Sequence, residues 1–336
     1  MTRLSLTTRL SVLLLLTAAF FLAAGSQAVA QFTVTNLVTN VQDPNLKNAW
    51  GMAYASGGPF WVADEATGVS TAYDANGTIV PLVVTIPSAT TRKASPTGLV
   101  SNSTSGFVIT QNGVSGAAAF IFDTLDGTIS GWSPTVNANA AVIAVNNNAT
   151  ANYTGLAIAT VGTQTFLYAA NQAKNQIEIY NSTFKLTKTF TDTTLTGLKV
   201  YGVSVLRGKV YVTFAGTGKG AVDVFSTGGK FLKTLIPPTA TLSNPWGMAI
   251  APSNFDTFSG ALLVGNVIGG RINGFNLTTG ALIGPLKDKT STIIAIPGLW
   301  AIEFGGGSTS NGNTNQLFFD AGGGTYATGT FGMIAP

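Results

Sequence analysis

Residues 48–54 read NAWGMAY, and residues 244–250 read NPWGMAI. One phrase written twice, with 196 positions between its tryptophans, is the mark of an internal repeat. Fainter echoes complete the series: Trp50-Gly51, Thr97-Gly98, Thr154-Gly155, Tyr201-Gly202, Trp246-Gly247 and Trp300-Ala301. The steps between the second residues are 47, 57, 47, 45 and 54. The two close copies therefore stand four repeats apart, at an average of 49 residues each.

Each repeat runs through the same short events. An apolar strand follows the anchor, as in GMAYA, GLAIAT or GVSVL. A second strand follows: FWVAD (60–64), FVITQ (107–111), FLYAAN (166–171), VYVTFA (210–215), LLVGN (262–266) and LFFDAG (317–322). A third closes in most copies on a polar or glycine turn, as in VSTAYDANG, AAFIFDTLDG and INGFNLTTG, and a fourth completes the unit. Four short strands per ~50 residues, rich in β-branched and aromatic side chains, predict an all-β chain folded as a six-bladed β-propeller. A pair of β-sandwiches is the competing architecture. The blades are expected at about 48–86, 95–145, 153–190, 200–236, 245–286 and 298–336. The last repeat is one strand short, while FTVTNLVTN (32–40) is a strand with no hairpin partner. Laying residues 32–40 on the outside of the last blade closes the ring and covers an exposed edge.

The first thirty residues read as a signal peptide. Arg3 and Arg9 precede the apolar run LSVLLLLTAAFFLAA (10–24), and Ala28-Val29-Ala30 places cleavage before Gln31. An uncleaved anchor is the alternative, although the run is shorter than the ~20 residues of a spanning helix. Residues 31–336 would then form one exported domain, periplasmic, cell-surface or extracellular, monomeric and without a membrane span. Its 15 basic and 13 acidic side chains leave it near neutrality, and no Lys/Arg stripe suggests nucleic acid.

The chain has no cysteine and no histidine. That removes disulfides, Ser-His-Asp and Cys-His catalysis, and the usual zinc and copper sites. No cofactor is implied; a bound metal would be a hard cation on oxygen ligands, foremost Ca2+.

Antiparallel pairing puts the start of strand one and the end of strand two at the same edge. One face should therefore carry the anchors Trp50, Tyr201, Trp246 and Trp300 near the axis, with Thr97 and Thr154. Around them would stand a ring of strand-two ends: Asp64, Gln111, Asn171, Asn266 and Asp320, with Ala215 as its gap. The aromatic groups suit a sugar ring or an apolar ligand. Against this stands tunnel plugging by the aromatics, and turn capping by the polar groups. Glu303, in LWAIEFG on the last inner strand, is expected to reach the tunnel as a calcium ligand, an acid or a lysine's partner. Asp64, Asn171, Asn266, Glu303 and Asp320 are the candidate calcium ligands.

The texture FWVADEATGVSTAYDANG resembles the NHL-type repeat. NAWGMA, FWVADEATGVSTAYDANGTIV, DGTISGW (126–132), LYAAN (167–171) and the closing LFFDAG and GTFG together resemble an uncharacterised family of exported bacterial proteins. That resemblance implies the fold and export, and no chemistry. Similar members carry a histidine in the closing motif, where this chain reads GGGTYATGTFG. More distantly, the architecture is similar to six-bladed lactonases that hold calcium in the tunnel. Two functions follow: a non-catalytic scaffold binding a small molecule, glycan or envelope protein, or a calcium-dependent lactonase/esterase-like hydrolase. A structural role in the cell envelope, through the outer blade edges, is a third.

Overall fold

A computed structural model describes residues 31–336, so the expected signal peptide lies outside the described residues. Twenty-six strands and one short 3-10 helix (Asp256–Phe258) make up the described chain. Six four-stranded antiparallel sheets form a ring of blades.

Blade one holds β2 (Ala49–Tyr54), β3 (Phe60–Asp64), β4 (Val69–Tyr73) and β5 (Val84–Thr85). Blade two holds β6 (Pro96–Ser101), β9 (Phe120–Thr124), β10 (Thr128–Trp132) and β11 (Val142–Asn146). Blade three is β12 (Tyr153–Val161), β13 (Gln164–Asn171), β14 (Gln176–Asn181) and β15 (Leu186–Phe190). Blade four is β16 (Lys199–Leu206), β17 (Lys209–Gly216), β18 (Lys219–Ser226) and β19 (Phe231–Thr239). Blade five is β20 (Pro245–Ile250), β21 (Leu262–Asn266), β22 (Ile272–Phe275) and β23 (Leu282–Pro285). Blade six combines β24 (Leu299–Phe304), β25 (Leu317–Ala321) and β26 (Thr330–Ala335) with the N-terminal β1 (Thr33–Thr39). The ring closes as expected: β1 is the outermost strand of blade six, paired from Thr33↔Ala335 to Thr39↔Thr330.

Blade two departs from the sequence reading. FVITQ is not its second strand. Val108–Gln111 (β7) and Val114–Ala117 (β8) form a separate two-stranded hairpin inserted between β6 and β9. Asn112 and Gly113 turn it, with φ of 51° and 80°, the left-handed pair that a two-residue hairpin loop requires. The true second strand is FIFDT (120–124), taken above as the third, and the insertion accounts for the long 57-residue step.

Strands such as FWVAD are buried along their whole length because both sheet faces meet another blade. The core is accordingly divided. Six apolar clusters fill the six junctions between neighbouring blades. A seventh, around Trp50, Trp300 and Val267, sits on the axis. Outer strands face water; Leu186–Phe190 is exposed except at its last residue.

Candidate functional site

The repeated phrase has a geometric cause. In all six inner strands the pairing register slips at the anchor, between Ala49/Gly51, Pro96/Leu99, Tyr153/Leu156, Val200/Val203, Pro245/Met248 and Leu299/Ile302. A bulge of this kind re-aims one side chain, here toward the axis. The three tryptophans come from consecutive blades five, six and one. Each is preceded, two residues earlier, by a residue with positive φ: Asn244 (50°), Gly298 (69°) and Asn48 (45°). Asparagine and glycine tolerate that conformation best. The glycine after the anchor permits close approach of the next inner strand. A Cβ on Gly51 would lie 2.1 Å from the Thr97 carbonyl oxygen, and one on Gly247 would lie 2.4 Å from that of Trp300.

The four expected aromatic anchors do come together. Trp50 and Trp300 stack with centroids 3.6 Å apart, and Trp246 meets both edge-on at 6.5 and 6.2 Å. Tyr201 lies 6.0 Å from Trp300. The Trp246 indole Nε1 donates across the tunnel to the Thr154 carbonyl at 2.6 Å, and that of Trp300 donates to Asn48 Oδ1 at 2.9 Å. The Trp50 Nε1 is buried without a partner among the described residues. The cluster plugs the tunnel and divides it into two cavities.

The expected polar ring does not form as one ring. Gln111 is a correction: it stands on the inserted hairpin at the opposite face, accepting from Asn137 Nδ2 at 2.8 Å. The other four occupy two registers. Asp64, Asn171 and Asn266 pair opposite Ala49, Tyr153 and Pro245. In blade six that register holds Ala321, opposite Leu299, and Asp320 stands one residue earlier. Asp320 shares its register with Asp123, which the sequence reading missed by assigning FIFDT to the third strand, and with Thr213. These three take up the N–H freed by the bulge: Gly98 N donates to Asp123 Oδ1 at 2.6 Å, Gly202 N to Thr213 Oγ1 at 2.7 Å, and Ala301 N to Asp320 Oδ1 at 2.8 Å.

The remaining members are occupied within their blades. Asp64 accepts from Thr71 Oγ1 at 2.8 Å. Asn266 accepts from Ser243 N and donates to the Arg271 carbonyl. Asn171 donates to Glu178 at 2.8 Å. Glu178 also accepts from Tyr153 and Tyr180, each at 2.7 Å, and from Gln176 at 3.0 Å. Burial pushes its carboxyl up, but these donors outweigh burial and hold it below its ordinary value. Asp64 and Asp320 have too few donors to offset burial, which drives both far upward.

The candidate calcium ligands are therefore dispersed. Asp64 and Asp320 are each committed inside a blade, while Glu303 lines the tunnel. Among the described residues no group of three or more acidic side chains is placed to hold an ion.

The cavity on the anchor face measures 650 Å³. Trp50, Tyr201, Leu125 and Ile268 supply its apolar wall, and Asn152, Thr154, Gln172, Thr217 and Asn244 its polar one. No lysine, arginine, aspartate or glutamate lines it. The side chains of Gln172, Tyr201, Thr217 and Asn244 carry no hydrogen bond to another described residue, whereas Asn152 Nδ2 is spent on the Leu125 carbonyl at 3.1 Å. Burial raises the Tyr201 hydroxyl, with Tyr326 adding to the effect, so it stays protonated. Of these residues the sequence reading found only the anchors Trp50, Thr154 and Tyr201. The others sit in or beside loops, where no periodicity marks them.

Beyond the plug, a second cavity of 410 Å³ runs along the inner strands of all six blades. Glu303 is its single acidic side chain, and no lysine or arginine lines it. Burial pushes the Glu303 carboxyl up to about 8. Tyr54 donates to the Phe304 carbonyl at 3.0 Å, and burial followed by the nearby Glu303 raises its hydroxyl to about 12.

No family model matches the chain. An uncharacterised protein of Acanthamoeba polyphaga mimivirus is 26% identical over 323 residues, covering 88% of this chain and 78% of its own. A second protein of that virus is 27% identical over 301 residues, covering 81% and 79%. These relatives are viral, and they lend no support to the expectation of a bacterial exported family. Among solved structures, the aldose sugar dehydrogenase of Escherichia coli superposes with a TM-score of 0.59 at 10% identity, over 91% of this chain and 100% of that one. The virginiamycin B lyase of Staphylococcus aureus gives 0.56 at 12% identity, over 91% and 100%. At such identities the likeness shows the fold alone, and it is a fold that enzymes share.

Proposed function

We propose that the protein is a non-catalytic binding propeller that takes a neutral, carbohydrate-like ligand in the anchor-face cavity. The lining of that cavity carries the reading. The rings of Trp50 and Tyr201 stand beside unengaged amides and hydroxyls, with no ionisable group except the tyrosine hydroxyl of Tyr201. Aromatic stacking with neutral hydrogen bonding suits a sugar ring. A lining without a general acid, general base or nucleophile suits binding rather than turnover.

Gln172→Ala and Tyr201→Phe should each weaken sugar binding about fivefold to tenfold, the worth of one hydrogen bond of ~1 kcal/mol. Neither change should move the melting temperature by more than about a degree, because neither group bonds to the protein. A glycan array followed by calorimetry on the hits would measure this. Failure of every neutral glycan to bind would overturn the proposal.

The hydrolase reading rests on Glu303, an acid held in its protonated form in the tunnel. The one carboxyl near it, Asp320, is buried within blade six and accepts from Ala301 N, so it is not free to activate water or to share a cation. It predicts ester or lactone turnover that Glu303→Gln abolishes, and a melting temperature that calcium raises over EDTA. The basic start, the apolar run at 10–24 and Ala28-Val29-Ala30 support export. Recovered mature protein should begin at Gln31.

A further inference from the structure

The tunnel beyond the plug has a second chemistry, independent of the anchor-face cavity. The third residue after each anchor is small or aliphatic in five blades: Ala53, Val100, Ala157, Ser204 and Ala249. In blade six it is Glu303. Its carboxyl makes no hydrogen bond or ion pair with another described residue; the one ion pair among the described residues, Lys174–Glu178 at 3.9 Å, belongs to blade three. The cavity it shares is lined by apolar side chains from every blade, among them Met52, Leu99, Leu156, Val203, Met248 and Ile302, with Ser101, Ser204 and Tyr54 as its hydroxyls. The ionisable groups near it are Tyr54 and the buried Asp320, neither of which supplies positive charge.

A solitary carboxyl in an apolar channel is costly to ionise unless a cation meets it. A bare metal ion would find one ligand. An anion would find no positive charge, and a neutral apolar molecule would leave the carboxyl unpaired. An organic cation with an apolar body satisfies both parts of the site. We infer that the tunnel mouth opposite the anchor face binds a small hydrophobic primary amine, its ammonium on the Glu303 carboxylate and its hydrocarbon body between the inner strands.

The probes are hexylammonium, 1-hexanol and hexanoate, titrated into the protein at about pH 9, where an alkylammonium is still largely protonated. Hexylammonium should bind about tenfold or more tighter than hexanol, as expected for a charge-assisted contact, and hexanoate weakest of all. Glu303→Gln should bring the amine down to the level of the alcohol, and Glu303→Ala, which copies blade one, should do the same. Both variants should leave sugar binding at the anchor face unchanged. Hexanol binding as tightly as the amine in the unaltered protein would overturn the inference, as would amine binding that survives both substitutions, or no binding of hexylammonium at all.

Discussion

Ala301 is the single anchor follower that carries a Cβ; the other five blades use glycine. The space beside the glycines differs from blade to blade. Added Cβ atoms at Gly51, Gly98 and Gly247 would come within 2.1–2.4 Å of backbone in the next blade, whereas one at Gly155 would meet Gly202 Cα at 3.4 Å. Gly247→Ala should therefore cost roughly 1–3 kcal/mol in urea unfolding, the range of core overpacking, while Gly155→Ala should stay under about 1 kcal/mol. Equal losses at the two positions would mean that the inner strands are not spaced as described. The same residues explain what could be read in advance. The bulge recurs in every blade, and in blades one and five it combines with positive φ and close approach, which together constrain residue type, so Asn48, Trp50 and Gly51 reappear as Asn244, Trp246 and Gly247. Gln172 and Thr217 meet no such demand, since an unengaged polar side chain on a loop satisfies nothing within the fold. The anchors were visible in the sequence for that reason, and the rest of the cavity wall was not.

At the level of elements, β1 does more than supply a hydrogen-bonding edge. Phe32, just ahead of it, is 1% exposed and stacks on Phe255 at 4.7 Å between centroids, locking the strand into the junction of blades five and six. Val38 near its other end is equally buried, in the junction of blades six and one. Phe32→Ala should cost about 3–5 kcal/mol by urea unfolding. A chain beginning at residue 41 loses both contacts and bares β26, and should melt far lower than one beginning at residue 31. If the two chains melt together, β1 contributes nothing to closure. The N-terminal strand was legible because one unpaired strand and one incomplete repeat stood at opposite ends of the chain. The hairpin of blade two was misread although it carried its own signal. Asn112-Gly113 is a two-residue turn pair, and Val108–Gln111 is exposed at alternate positions where a true second strand is buried throughout. A half-exposed strand beside one buried along its whole length is the pattern that separates this insertion from a blade.

Across the whole molecule, charge is scarce and acids are buried without counter-ions. Burial raises Asp123 and Asp223 to about 7, in the second case with Asp192 adding to the rise, and Glu303 to about 8. Unfolded carboxyls titrate near ~4. These groups therefore contribute their full share of stability below about pH 4, and that share is lost as pH rises through 7 and 8. Glu178 works in the opposite sense: its folded value is depressed, so its contribution is present above the unfolded value and lost as pH falls. Stability should peak in mildly acidic solution and decline toward about pH 8, by up to about 1.4 kcal/mol per pH unit for each group in its window. No histidine titrates in this interval, so the slope belongs almost wholly to carboxyls. Asp123→Asn tests the assignment cleanly, because the amide oxygen still accepts from Gly98 N and Thr97 Oγ1. Urea midpoints measured at about pH 5 and about pH 8 should converge in Asp123→Asn relative to the unaltered chain, chiefly through a gain at the higher pH. A variant whose midpoints stay as far apart as before would show that Asp123 is already ionised in the folded ring at neutral pH.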